Sequence, residues 1–113
     1  MVFYPSKSVQ EPWFTLISLG LKSVEGRVNK GEWSKMEAGD QIEFVNKDRS
    51  IVVTVVSTKV YPSFYRYLKE EGLKKCLPSV KSIREGVNIY HSFPNFKENA
   101  KEHGVIAIRV QVK

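Results

Sequence analysis

The stretch L19-G-L-K-S-V-E-G-R-V28 changes its periodicity in the middle. Upstream, Trp13, Leu16 and Ile17 stand at i, i+3 and i+4, with Pro12 suited to a first helical turn and Gly20 to a cap, so a helix is expected over about 11–19. Beyond Gly20 the period becomes two. Val24, Gly26 and Val28 fall on one side and Ser23, Glu25 and Arg27 on the other, as in a strand over 22–28 with one strongly polar face. Four hydrogen-bonding side chains, Lys22, Ser23, Glu25 and Arg27, are thereby concentrated within six positions. They either form a solvated ion-pair face or line a cleft for a polar ligand, with Lys22 at its mouth.

On either side of this stretch the pattern is mixed. E37-A-G-D-Q-I-E-F-V-N46 supplies a turn and then alternating Ile42 and Phe44, a strand over 40–47. The β-branched run from 50 to 61 reads as a long central strand. Residues 63–72 have a serine start, aromatics at 64, 65 and 67 and a glycine stop, and 80–92 places Val80, Ile83, Val87 and Tyr90 on one face; both read as helices. The strand over 104–112 closes the chain, with Ile106, Ile108, Val110 and Val112 as its core face. No repeat or linker divides the sequence, so residues 1–113 are expected to be one α+β domain built on a curved or barrel-like mixed sheet.

Composition narrows the function. A chain that is 42% hydrophobic and 12% aromatic can bury a core, which argues against disorder. It contains no apolar run of membrane-spanning length and no leader-like start, so a soluble, cytoplasmic protein with no membrane partner is expected. The single cysteine, Cys76, cannot close an internal disulfide, and His91 and His103 lack ligand spacing; neither metal nor cofactor is expected. A net charge of +6 favours a polyanionic partner, although the basic residues are dispersed among twelve acids.

The spacing Gly20, Lys22, Glu25, Arg27 resembles the signature of the ASCH domain family. A38-G-D-Q-I-E-F44 is similar to the family's turn before its second strand, L77 to F93 to its helical insertion, and H103-G-V-I-A-I-R-V110 to its last strand. The resemblance implies a PUA-like mixed β-barrel with short helices packed at its side, related to domains that bind RNA, with a cleft beside the signature strand. RNA or a modified nucleoside is then the expected partner. Lys22 and Arg27 would supply charged donors, Glu25 would accept from an exocyclic amine, and Trp33 or Tyr90 would stack on an unpaired base. Ser23 and Ser92 complete the expected ligand-binding set, whereas Trp13 is expected in the core.

The same resemblance implies an enzymatic alternative. Some members are amidohydrolases of N4-acetylcytidine, in which the signature lysine activates a threonine three positions later with support from a helical glutamate, and others are reported as ribonucleases. Lys22 matches the lysine and is the candidate catalytic base. Glu25 stands where the threonine should be, a carboxylate that would keep Lys22 protonated. Glu70, Glu71 and Glu85 are all candidates for the supporting glutamate.

Overall fold

In a computed structural model, which describes residues 1–113, the strands are β1 (Phe3–Ser8), β2 (Val24–Val28), β3 (Gln41–Asn46), β4 (Arg49–Tyr61) and β5 (Val105–Val112). The helices are α1 (Trp13–Ser18), α2 (Phe64–Glu71), α3 (Leu73–Cys76), α4 (Ile83–Ser92) and α5 (Phe96–His103), with a 3₁₀ turn at Gly31–Lys35. The strands form one mixed sheet in the order β1-β3-β4-β5-β2. Only β1 with β3 is a parallel pair. This is the α+β PUA-like architecture, a curled half-barrel with helices at its side.

Two apolar clusters cover the two faces of the sheet. The inner one joins Tyr4, Ile42, Phe44, Val53, Val55, Ile106, Ile108 and Val110 to Phe14 and Ile17 of α1. The second joins Val24, Val28, Val105 and Ala107 to Phe64, Tyr67 and Leu68 of α2 and Tyr90 of α4. Both faces of β5 are therefore buried along Val105–Ile108, where the alternation had suggested one core face. A central strand between two packed layers loses the polar half of its pattern.

The long β4 serves both halves of the sheet. Its first residues pair with β3 and its later ones with β5, with a register shift between Val55 and Ser57. Such an irregularity increases local twist and lets one strand follow the curl.

The sheet does not close. β1 and β2 are its two edges, and their main chains do not pair across the seam. β1 carries Pro5, and its register breaks between Tyr4 and Lys7, both signs of an edge strand. Neither β1, α3 nor α5 was expected from the sequence. The α5 signals were present, with Phe96, Ala100 and His103 spaced for one face and Gly104 as a stop.

Gly20 sets the entry to β2. Its N–H donates to the Ile17 carbonyl (2.9 Å), and the Leu21 N–H donates to that of Leu16 (3.0 Å), with Gly20 at φ +77°. This is a Schellman termination, and the left-handed residue it needs is the one glycine adopts without strain. The chain reverses there, so Lys22 precedes the strand, which begins at Val24.

Candidate functional site: a cleft in the open seam

Between the two edge strands lies a cavity of about 240 Å³. Ser8, Val9, Gln10 and Trp13 wall one side and Glu25, Gly26 and Arg27 the other. The α4–α5 corner closes it with Tyr90, Phe93 and Phe96.

The register explains how polar groups reach it. Glu25 lies opposite Ile108 and Arg27 opposite Ile106, so both occupy the inner face of the sheet, while Val24, Gly26 and Val28 face the helices. Elsewhere on that inner face β5 carries aliphatic side chains. At β2 the barrel is open, and charge replaces them.

Glu25 is only 6% exposed and is held by two cations. Arg27 donates from Nε to Oε2 (2.9 Å), its Nη2 lies 2.8 Å from the same oxygen, and Lys22 Nζ lies 3.4 Å from Oε1. Burial alone would raise the Glu25 carboxyl, but the charges of Arg27 and then Lys22 outweigh it and hold the group below its ordinary value. Glu25 is ionised.

Lys22 is not at the mouth of the cleft but 2% exposed. Its ammonium donates to the carbonyls of Val24 (2.8 Å) and Cys76, the second a short contact, besides facing Glu25. Burial pushes Lys22 below its ordinary value, opposed chiefly by Glu25. The Schellman turn carries the chain inward at this point, which a strand starting at residue 22 would not do.

Arg27 spans the seam. Its Nη2 also donates to the Ser8 carbonyl of β1 (3.0 Å), and its guanidinium lies 4.4 Å from the Trp33 ring centre. Trp33 thus stacks on Arg27 from the 3₁₀ turn rather than lining the cavity. Trp13 was expected in the core: half-buried, it packs against both apolar clusters and also lines the cleft. Tyr90 both packs and lines: its ring stacks on Phe64 with centres 4.5 Å apart, and its hydroxyl meets that of Tyr67 (3.2 Å). Burial, then Glu25, pushes Tyr90 well above its ordinary value, so it is a neutral phenol.

Two expected residues lie elsewhere. Ser23 precedes the strand, gives its carbonyl to Val110 N–H (2.9 Å), and borders a separate depression with Ile17 and Gln111. Ser92 is exposed, and its hydroxyl donates to the Ile89 carbonyl (2.6 Å). None of the candidate glutamates lines the cleft. Glu70 pairs with Arg66 on the surface of α2 (2.6 Å), Glu71 with Arg109 (2.6 Å), and exposed Glu85 follows the Ser82 cap of α4.

The residues missed by the sequence reading, Ser8, Val9, Gln10, Trp13, Gly26, Leu77, Phe93, Pro94 and Phe96, come from the end of β1 through the start of α1, from β2 and from the segments flanking α4. The aromatic pair of S92-F-P-N-F96 was the one usable signal, two large rings beside a proline in a turn.

The ASCH domain family model matches residues 8–113. The crystal structure of hypothetical protein PH0355 is 35% identical, with 100% of both chains covered and a TM-score of 0.88. The solution NMR structure of protein PF0455 from Pyrococcus furiosus is 35% identical over 97% of this chain and 96% of that one, with a TM-score of 0.79. No curated protein matches the chain.

Proposed function

The chain belongs to the ASCH domain family, and on that footing we propose that the seam cleft binds an unpaired nucleobase, in RNA or in a modified nucleoside. The observation that carries this reading is an ionised carboxylate set in an aromatic-walled cavity. A volume of about 240 Å³ is below the roughly 300–1,000 Å³ of sites for larger organic ligands and suits one heterocycle. Trp13, Phe93 and Phe96 line the cavity with aromatic rings, the kind of surface on which any base can stack.

The carboxylate limits what the base must present. Arg27 Nε and Nη2 occupy Oε2, whereas Oε1 faces only Lys22 at 3.4 Å. A carboxylate has about four lone-pair positions, so Oε1 retains room for one ligand N–H. An exocyclic amine, as on cytosine or adenine, supplies it; a uracil carbonyl in that place would meet a negative charge. The +6 net charge provides a long-range attraction for the phosphates of a strand.

An amidohydrolase would use Lys22 to activate a hydroxyl. Its Nζ contacts instead are two main-chain carbonyls and Glu25, and Glu25 holds the threonine position. Binding without turnover is the expected behaviour.

The test is a titration of the protein with cytidine, adenosine, uridine and a short single-stranded RNA, followed by tryptophan fluorescence at two salt concentrations. Cytidine or adenosine should change the tryptophan signal at lower concentration than uridine, and RNA affinity should fall as salt rises. Absence of any response to all four ligands overturns the reading. Release of cytidine from N4-acetylcytidine that is lost in Lys22→Ala would put a hydrolase in its place.

A further inference from the structure

The pairing of β2 leaves one residue with both its main-chain groups facing the cleft and nothing in the protein to bond. In an antiparallel ladder, residues alternate between those whose N–H and C=O point to the partner strand and those whose groups point away. Two bonds fix the phase. Val110 N–H donates to the Ser23 carbonyl (2.9 Å), and Asn29 N–H donates to that of Gly104 (3.0 Å). Ser23 and Asn29 therefore face β5, and with them, by alternation in an unbroken register, Glu25 and Arg27. Val24, Gly26 and Val28 direct their main-chain groups away from β5, towards the seam. The Val24 carbonyl confirms the phase, since Lys22 reaches it from outside the sheet (2.8 Å).

Along this free edge the carbonyls of Val24 and Val28 are committed, the first to Lys22 and the second to Lys30 N–H (2.8 Å). Gly26 has neither its N–H nor its C=O engaged within the protein. It is buried, and because it has no side chain, it lines the cavity with main-chain atoms. Buried peptide groups are almost always paired, so an unpaired donor and acceptor side by side on a cavity wall mark a place for a ligand.

We propose that the Gly26 peptide groups read the edge of the bound base, a role that rests on the nucleobase reading above and extends it. The Gly26 N–H donates to a ring nitrogen. The adjacent exocyclic amine places one hydrogen on the Gly26 carbonyl and the other on Glu25 Oε1. The ligand class is then a heterocycle with a ring-nitrogen acceptor beside an unsubstituted amine, the edge shared by cytosine and adenine. Uracil has an N–H and a carbonyl in those places, and a doubly alkylated amine has no hydrogen for either acceptor.

The test uses the full chain labelled with ¹⁵N, reading amide hydrogen exchange and chemical shifts with cytidine, uridine and N4,N4-dimethylcytidine as probes. In the free protein, the Gly26 amide should exchange faster than those of Glu25 and Arg27, which lie in the ladder. Saturating cytidine should slow it about tenfold, the scale of one added hydrogen bond. Uridine and dimethylcytidine should not slow it. A Gly26 amide as protected in the free protein as its two neighbours overturns the proposal without any ligand. So does cytidine binding that shifts Trp13 and Tyr90 resonances but leaves Gly26 exchange unchanged, a result that spares the nucleobase reading. No shift of any cleft resonance with any probe removes both.

Discussion

Two arginine–carboxylate pairs lie on opposite faces of this sheet, and they are built for different ends. Glu71 and Arg109 meet on the helix side. Arg109 donates from Nε to Oε1 (2.9 Å) and from Nη2 to Oε2 (2.6 Å), while Tyr61 donates to Oε2 and Ser57 Oγ accepts from Arg109 Nη1 (3.0 Å). Both carboxylate oxygens have short, well-aligned donors, and α2 is fastened to β4 and β5. Glu25 and Arg27, on the inner face, share one oxygen between two donors and leave the other facing a lysine at 3.4 Å beside a cavity. A closed network fastens helix to sheet; one with an acceptor left over beside a cavity can take a ligand.

The largest effect should follow from Glu25→Gln. A buried pair that loses one partner typically costs about 3–5 kcal/mol, and Lys22, 2% exposed, would keep its burial while losing its counter-charge. Urea denaturation should show a loss in this range. The loss exceeds the roughly 0–1 kcal/mol of an exposed ion pair because Glu25 is buried between two cations.

Next is Gly26→Ala. A Cβ at this position would come within 2.5 Å of the Tyr67 ring, which is fully buried and whose hydroxyl meets that of Tyr90. Overpacking costs about 1–3 kcal/mol, and the strain should pass through Tyr67 to Tyr90, so the tyrosine side-chain resonances should move with the denaturation midpoint.

Glu71→Gln should cost about 1–3 kcal/mol, the scale of lost charge-assisted hydrogen bonds, because Arg109 is 37% exposed and can turn to solvent. Alkaline titration sharpens the contrast. Burial, with the Glu71 hydrogen bond second, raises Tyr61 from 10.0 to about 12, so its contribution is complete below pH 10 and disappears as pH rises through 12. The urea midpoint measured across that range should fall in the wild type, and the Tyr61 share of the fall should shrink in Glu71→Gln. Burial also raises the Cys76 thiol from 9.0 to about 11, a stabilisation lost over that lower window in both proteins. The smallest contribution is the cation–π contact of Trp33 with Arg27, about 0.5–1 kcal/mol, measured as the coupling energy of a double-mutant cycle between Trp33→Leu and Arg27→Gln, which separates it from the packing of Trp33 on the inner cluster.

The two pairs also differ in how far the sequence revealed them. The polar face of β2 was legible, because Glu25 and Arg27 alternate with Val24, Gly26 and Val28, and Gly20 marks the turn that precedes them. The long β-branched run, the serine start of α2 and the shared face of Ile83, Val87 and Tyr90 in α4 placed most of the remaining framework. What periodicity does not encode is the neighbour across space. Trp13 fits a helical face, but whether that face meets a core or a cavity depends on the seam between β1 and β2, which are adjacent only through the fold. β1 was hidden because Pro5 and the polar Ser6, Lys7 and Ser8 break its alternation. Glu71 and Arg109 lie 38 residues apart, so no local pattern joins them.

The most direct measurement compares cytidine binding by the wild type, Glu25→Gln and Glu71→Gln, under conditions where denaturation shows all three fully folded. Glu71→Gln should bind as the wild type does, and Glu25→Gln should bind at least about tenfold more weakly, through loss of the charged acceptor. Equal affinity in all three proteins, or equal losses in the two variants, would contradict the assignment of Glu25 to the ligand and Glu71 to the fold.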